Sequence, residues 1–149
     1  MKRLLIFSLS YEPFIGGAEI AAHEVARRLV HNGWQCDVVT ARFVRANART
    51  DVIDGVGVHR VGPVGCARTL VGMSWFARTA AKMTFPFFAF FKAAELHRKH
   101  TYHLSWSLMA AYAGVAAGFF SLRHPHVPLV LTLQEGDEER HLRRYTFGS

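Results

Sequence analysis

Short runs rich in aliphatic and β-branched residues alternate along the chain with longer runs whose apolar residues recur at helical spacing. Arg3–Ser10 (RLLIFSLS), Gln35–Ala41 (QCDVVTA), Val56–Gly62 (VGVHRVG), Tyr102–Leu108 (YHLSWSL) and Val127–Leu133 (VPLVLTL) read as strands. The segment Gly17–His31 puts Ala18, Ala22, Val25, Ala26 and Leu29 on one side and Glu19, His23, Arg27 and His31 on another, the pattern of an amphipathic helix. Asn32 and Gly33 then close it as C-terminal caps do. A second helical region is expected over Leu70–Arg98, broken near Pro86, and an Ala-rich helix over Met109–Leu122. Strands separated by helices predict a parallel sheet joined by right-handed crossovers, an α/β fold of the doubly wound, Rossmann-like type with helices on both faces.

Composition narrows this picture. The chain has 149 residues, half of them hydrophobic, which suits one domain with a sizeable core, residues 1–149. Its 18 Lys and Arg against 11 Asp and Glu give a formal net charge of +7 and favour anionic partners such as nucleotides or phospholipid surfaces. Nucleic acid is disfavoured, because the basic runs carry no interleaved aromatics and no Cys/His finger spacing occurs. Cys36 and Cys66 stand far apart outside any CxxC context, which suits a reducing, cytoplasmic setting, with Cys36 a small buried hydrophobe. The apolar run Leu4–Phe7 is a first strand and too short for a signal peptide. The aromatic-rich stretch Met73–Leu96 is interrupted by Arg78, Lys82 and Lys92 and falls short of a membrane span, though Thr84–Phe91 suits peripheral contact with an anionic membrane face as well as it suits a core.

In doubly wound sheets ligands bind beyond the carboxyl ends of the strands, which directs attention to Ser10–Glu19, Ser105–Met109 and Thr132–Glu138. The first of these holds Gly16 and Gly17 just before a helix. Two readings are open: a tight turn that starts a helix, or a cradle in which unpaired helix N–H groups meet a phosphate. Glu19 in the first turn favours the helix dipole by itself and competes with an anion. A nicotinamide-binding site is excluded, since the loop SYEPFIGGAE lacks GxGxxG and the second strand ends at Ala41 and Arg42 without an acid. In the third loop Glu135, Asp137, Glu138 and Glu139 crowd together, either as an acidic turn with Asp137 as N-cap or as a group that binds sugar hydroxyls, acts as a base or holds a metal. None of the nine His stands in a metal-ligand spacing, so no metal site is expected.

LLIFSLSYEPFIGGAEIAAHEVARRLVHNGWQCDVVTA resembles the opening of the family-4 retaining glycosyltransferases of the two-domain GT-B fold, and SWSLMAAYAGVAAGFF with VPLVLTLQEGD is similar to the later part of the same domain. Arg42–His100 contributes little to the likeness. The resemblance implies an acceptor-side, N-terminal domain of a cytoplasmic, nucleotide-sugar-dependent glycosyltransferase that uses no metal or other cofactor and acts on a glycan acceptor or, at the inner face of a membrane, on a lipid-linked one. Carried over by position, Gly16 and Gly17 approach the donor diphosphate and Glu19 shapes the acceptor side. Gln134 stands where the family often has His; Gln neither gives nor takes a proton, so it is left to hydrogen bonding, assisted by Glu135 or Asp137. The donor-binding domain, with its paired glutamates, is expected to be absent from residues 1–149, leaving this polypeptide inactive in transfer by itself. The alternative is a non-catalytic α/β binding module derived from the same fold.

Overall fold

A computed structural model describes residues 1–13, 16–63 and 74–133. Its elements run β1 (Arg3–Phe7), α1 (Gly17–His31), β2 (Gln35–Ala41), β3 (Thr50–Ile53), β4 (Val56–Val61), α2 (Trp75–His100), β5 (Leu104–Leu108), α3 (Tyr112–Arg123) and β6 (Leu129–Thr132). They form one sheet in the order β3-β4-β2-β1-β5-β6, parallel except for β3. The parallel strands wind outward from β1 in both directions, so the strand order reverses between β1 and β5. That is the doubly wound arrangement the alternation of elements predicts.

Both faces of the central strands are covered. Leu5 and Phe7 face α2 and α3, where Phe85, Ala89, Ala93, Ala116 and Phe120 are fully buried. Leu4 and Ile6 point the other way, onto Ala22 and Ala26 of α1 and onto Val38 and Val58. The period-two alternation of a strand buried on both sides explains why RLLIF carries no polar residue after Arg3. In α2 the buried residues Ala81, Phe85, Ala89 and Ala93 recur every fourth position, and small alanines let the helix approach closely.

Three local expectations are corrected. Pro86 does not break the second helix, which runs unbroken through 26 residues. The ring deprives one turn of a hydrogen bond, but Phe85, Ala89 and Ala93 on the sheet-facing side hold the two halves in line. A sixth strand, β3, pairs antiparallel with β4 through Asp54 and Gly55, both at positive φ, the type I′ geometry that an Asp-Gly pair favours. The third helix also begins at Tyr112, three residues later than Met109, because Met109 takes a left-handed φ of 69°. At the end of α1, Gly33 adopts φ 83° and its N–H reaches Val30, the C-terminal cap expected there. Among the described residues no helix is long and apolar enough to cross a membrane.

Candidate functional site

The reversal of strand order between β1 and β5 opens a crevice at their carboxyl ends, since the connections leaving these two strands turn to opposite faces of the sheet. Phe7 and Ser107 are partners in register, so Ser8 and Leu108 stand at the same level at the lip. The buried Ser8 Oγ donates to the carbonyl of Ser10 at 2.6 Å, and the buried Ser107 Oγ donates to the carbonyl of Met109 at 3.2 Å. Each serine bends the chain away just beyond its strand. Met109 holds an uncommon backbone conformation at this lip, a kind of strain that clusters at ligand-binding sites.

The loop leaving β1 is anchored from two sides. Tyr11 is buried, and its hydroxyl lies 2.7 Å from His23 Nδ1 on α1, while His23 Nε2 lies 2.9 Å from the Asp54 carboxylate. With Asp54 accepting from Nε2, the Tyr11 hydroxyl donates to Nδ1. Burial, reinforced by the negative charge of Glu12, pushes the Tyr11 hydroxyl well above the ordinary tyrosine range, so it stays a donor. From the other side Arg60, only 5% exposed, donates to the carbonyls of Glu12 at 2.9 Å and Ala48 at 3.0 Å. His23 is therefore a strut inside the fold, whereas the polar side of α1 suggested an exposed residue.

Gly16, Gly17 and Glu19 come together at the start of α1, beside this loop. The Glu19 side chain is 8% exposed and accepts the Gly16 N–H at 2.9 Å, so one unpaired amide of the helix start is already satisfied. A Cβ on Gly16 would lie 2.9 Å from that carboxylate, while a Cβ on Gly17 would meet nothing among the described residues. Gln134, Glu135 and Asp137 lie outside the described residues. They follow β6, whose last residue, Thr132, accepts the indole N–H of Trp106 at 2.7 Å, which ties the end of β6 to β5 beside the crevice.

At the opposite, amino-terminal edge of the sheet two polar clusters appear that linear spacing does not reveal. Asp37 on β2 lies 3.0 Å from His59 Nε2 and accepts the Tyr102 hydroxyl at 2.7 Å. Burial raises the Asp37 carboxyl, but the hydrogen bonds from His59 and Tyr102 outweigh it and hold the pKa below the ordinary value. Gly57 makes room for this carboxylate, because a Cβ there would collide with Asp37 Oδ1. In the second cluster His97, at the end of α2, meets His124 and His126, which follow α3; one ring nitrogen of each lies within 4.8 Å of the others. The only sequence signal for it is the short His124-Pro125-His126 spacing.

The topology and its crevice define the class of fold: a Rossmann-like half of a GT-B fold. Among solved structures the chain aligns over 100% of its length with sucrose-phosphate synthase from Thermosynechococcus elongatus, with a TM-score of 0.62 and 18% identity. A second structure of that enzyme aligns with 95% of the chain at a TM-score of 0.56 and 17% identity, covering 68% of its own length. The chain spans 36% of the first of these structures. No family model matches the sequence, and no curated protein matches it. At such identity the likeness is one of fold.

Proposed function

We propose that this chain is the acceptor-side half of a retaining glycosyltransferase that uses a nucleotide-sugar donor, with its site in the crevice between β1 and β5. The observation that carries the reading is the whole-chain alignment with sucrose-phosphate synthase, combined with a glycine pair at the mouth of the crevice. Gly17, where a side chain would meet nothing among the described residues, lets a diphosphate approach the first turn of α1. Glu19 contributes to the acceptor side while its carboxylate caps the helix. Gln134 supplies hydrogen bonds to sugar or acceptor, with Glu135 or Asp137 assisting, and the nucleotide is held chiefly by a second domain. Transfer without a metal then rests on positioning and on electrostatics across the two domains.

The capped Gly16 amide favours a second reading, a non-catalytic binding module, because the helix start needs no ligand to complete it. The complete gene product decides between them. Incubated with a panel of UDP- and GDP-sugars and glycan or lipid-linked acceptors, it is expected to release nucleotide with at least one donor. Gly17→Val is expected to lower that turnover at least tenfold, since a branched side chain would stand where the phosphate passes. Absence of nucleotide release with every donor and acceptor overturns the transferase reading and leaves the module.

A further inference from the structure

The side of α2 and α3 turned away from the sheet carries an apolar groove of 630 Å³. Met83, Phe87, Phe90 and Phe91 of α2 and Val115 and Phe119 of α3 line it. Phe87 is 62% exposed, Phe91 54% and Phe119 56%. Among the described residues nothing covers these rings, and aromatic surface exposed to this extent in one place marks an interaction site. The groove does not end in more apolar surface. Phe90 and Phe91 also wall a second cleft, of 590 Å³, whose polar end is formed by His97, Arg98, Arg123 and His124. An apolar trough thus adjoins a basic pocket, with Phe90 and Phe91 between them.

The chemistry of that pocket is set by hydrogen bonding. The backbone N–H of Tyr102 donates to His97 Nδ1 at 3.0 Å, so the neutral imidazole carries its proton on Nε2 and offers a donor. His124 Nε2 is buried and has no hydrogen-bond partner among the described residues, a cost that a ligand would remove. Arg98 and Arg123 add two guanidinium groups. The acid of the pocket, Glu95, is held by Lys92 at 3.1 Å and Lys99 at 2.6 Å and is neutralised in place. A transition metal suits this set poorly. A ligating histidine ordinarily donates its second ring N–H to an acceptor, whereas His97 Nδ1 accepts one, so coordination through Nε2 would strip the ring of its last proton. An anion rich in acceptor oxygens suits it well.

We propose that this trough binds an anionic amphiphile, its phosphate head held by His97, Arg98, Arg123 and His124 and its hydrocarbon chain laid along the groove between α2 and α3. The head is a phosphate ester on an alkyl chain, drawn either from a bilayer or from a soluble amphiphile. The polar end of this site lies at the opposite end of the sheet from the crevice between β1 and β5, and the proposal does not depend on the transferase reading.

The 149-residue chain is titrated with dodecyl phosphate below its micelle concentration, with dodecyl maltoside and with inorganic phosphate, following tryptophan fluorescence and ¹⁵N shifts. Dodecyl phosphate is expected to bind saturably and at least about tenfold more tightly than either control, because only it fills both ends. Arg123→Gln and His124→Ala are each expected to weaken it about tenfold while leaving dodecyl maltoside unchanged and the circular dichroism native. Phe119→Ser is expected to weaken both detergents and spare inorganic phosphate. Sedimentation with phosphatidylglycerol but not phosphatidylcholine vesicles identifies a bilayer as the source; binding of dodecyl phosphate without vesicle binding identifies a soluble amphiphile, and both uphold the site. Equal affinity for the two detergents, head-group variants that bind dodecyl phosphate as tightly as the parent, or stoichiometric Zn(II) binding that His124→Ala abolishes overturns it.

Discussion

The Glu19 carboxylate folds back onto the backbone amide of Gly16 at 2.9 Å, so the first turn of α1 carries its own anion. Because a Cβ on Gly16 would press on that carboxylate and one on Gly17 would meet nothing among the described residues, the two glycines separate experimentally. Gly16→Ala and Glu19→Ala are each expected to destabilise the chain by about 1 kcal/mol through loss of the cap, and Gly17→Ala by less than about 0.5 kcal/mol. Urea unfolding followed by circular dichroism reads the difference.

Arg60 is the buried link between the sheet and the candidate site. Its planar guanidinium reaches the carbonyls of Glu12 and Ala48 at once, with Asp51 3.8 Å away. A lysine at this position keeps the charge but not the fork, so Arg60→Lys is expected to cost about 2 kcal/mol and to loosen the loop after β1. Hydrogen exchange of the Tyr11 and Glu12 amides should rise more than that of β1 itself; uniform exchange across both would contradict the anchoring role.

Gly57 and Asp37 share a space too small for a side chain on the former. Gly57→Ala is expected to destabilise by about 1–3 kcal/mol, because the carboxylate must leave its bonds to His59 and Tyr102. Combined with Asp37→Ala the two costs should be clearly less than additive, which a double-mutant cycle in urea measures.

Acid acts on two separate windows. Burial lowers the His97 pKa, aided by His124 and His126, and burial lowers that of His124, aided by Arg123 and His126. The unfolded chain therefore takes up protons first, near the ordinary histidine value of about 6.5, and stability falls as pH drops from there through the folded-state values. Asp37, whose carboxyl is held below its ordinary value, keeps its contribution until pH falls below about 4. His97→Asn retains an acceptor for the Tyr102 amide and removes the titration, so its stability between pH 7 and pH 5 is expected to be flatter than that of the parent in thermal melts.

Pro86 sits midway along a helix that stays unbroken around it. Pro86→Ala restores one helical hydrogen bond, worth up to about 3 kcal/mol, against about 1 kcal/mol gained by the freer unfolded chain. A net stabilisation of about 1–2 kcal/mol follows, read as a rise in melting temperature.

Much of the fold was legible in order. Each strand of the parallel sheet announces itself by aliphatic runs such as RLLIF and QCDVV, and α1 by its fourfold spacing and its Asn-Gly stop, because both signals arise from neighbours in the chain. The strand β3 was missed, because the residues before Asp54 and Gly55 are exposed and give little apolar alternation, and Asp54-Gly55 by itself reads only as the entry to the next strand. The unbroken course of α2 through Pro86 was not legible either, since it depends on burial of Phe85 and Ala89 against a sheet built from distant segments.

The sequence by itself determined that this is an alternating α/β chain with Gly16, Gly17 and Glu19 at the start of its first helix, since each of those features is local. Only the tertiary structure decided that β5 lies beside β1, which makes the crevice, and that His97, His124 and His126 stand together although up to 29 positions separate them. Those contacts come from strand order and from where each crossover re-enters the sheet, and no short stretch of residues encodes either.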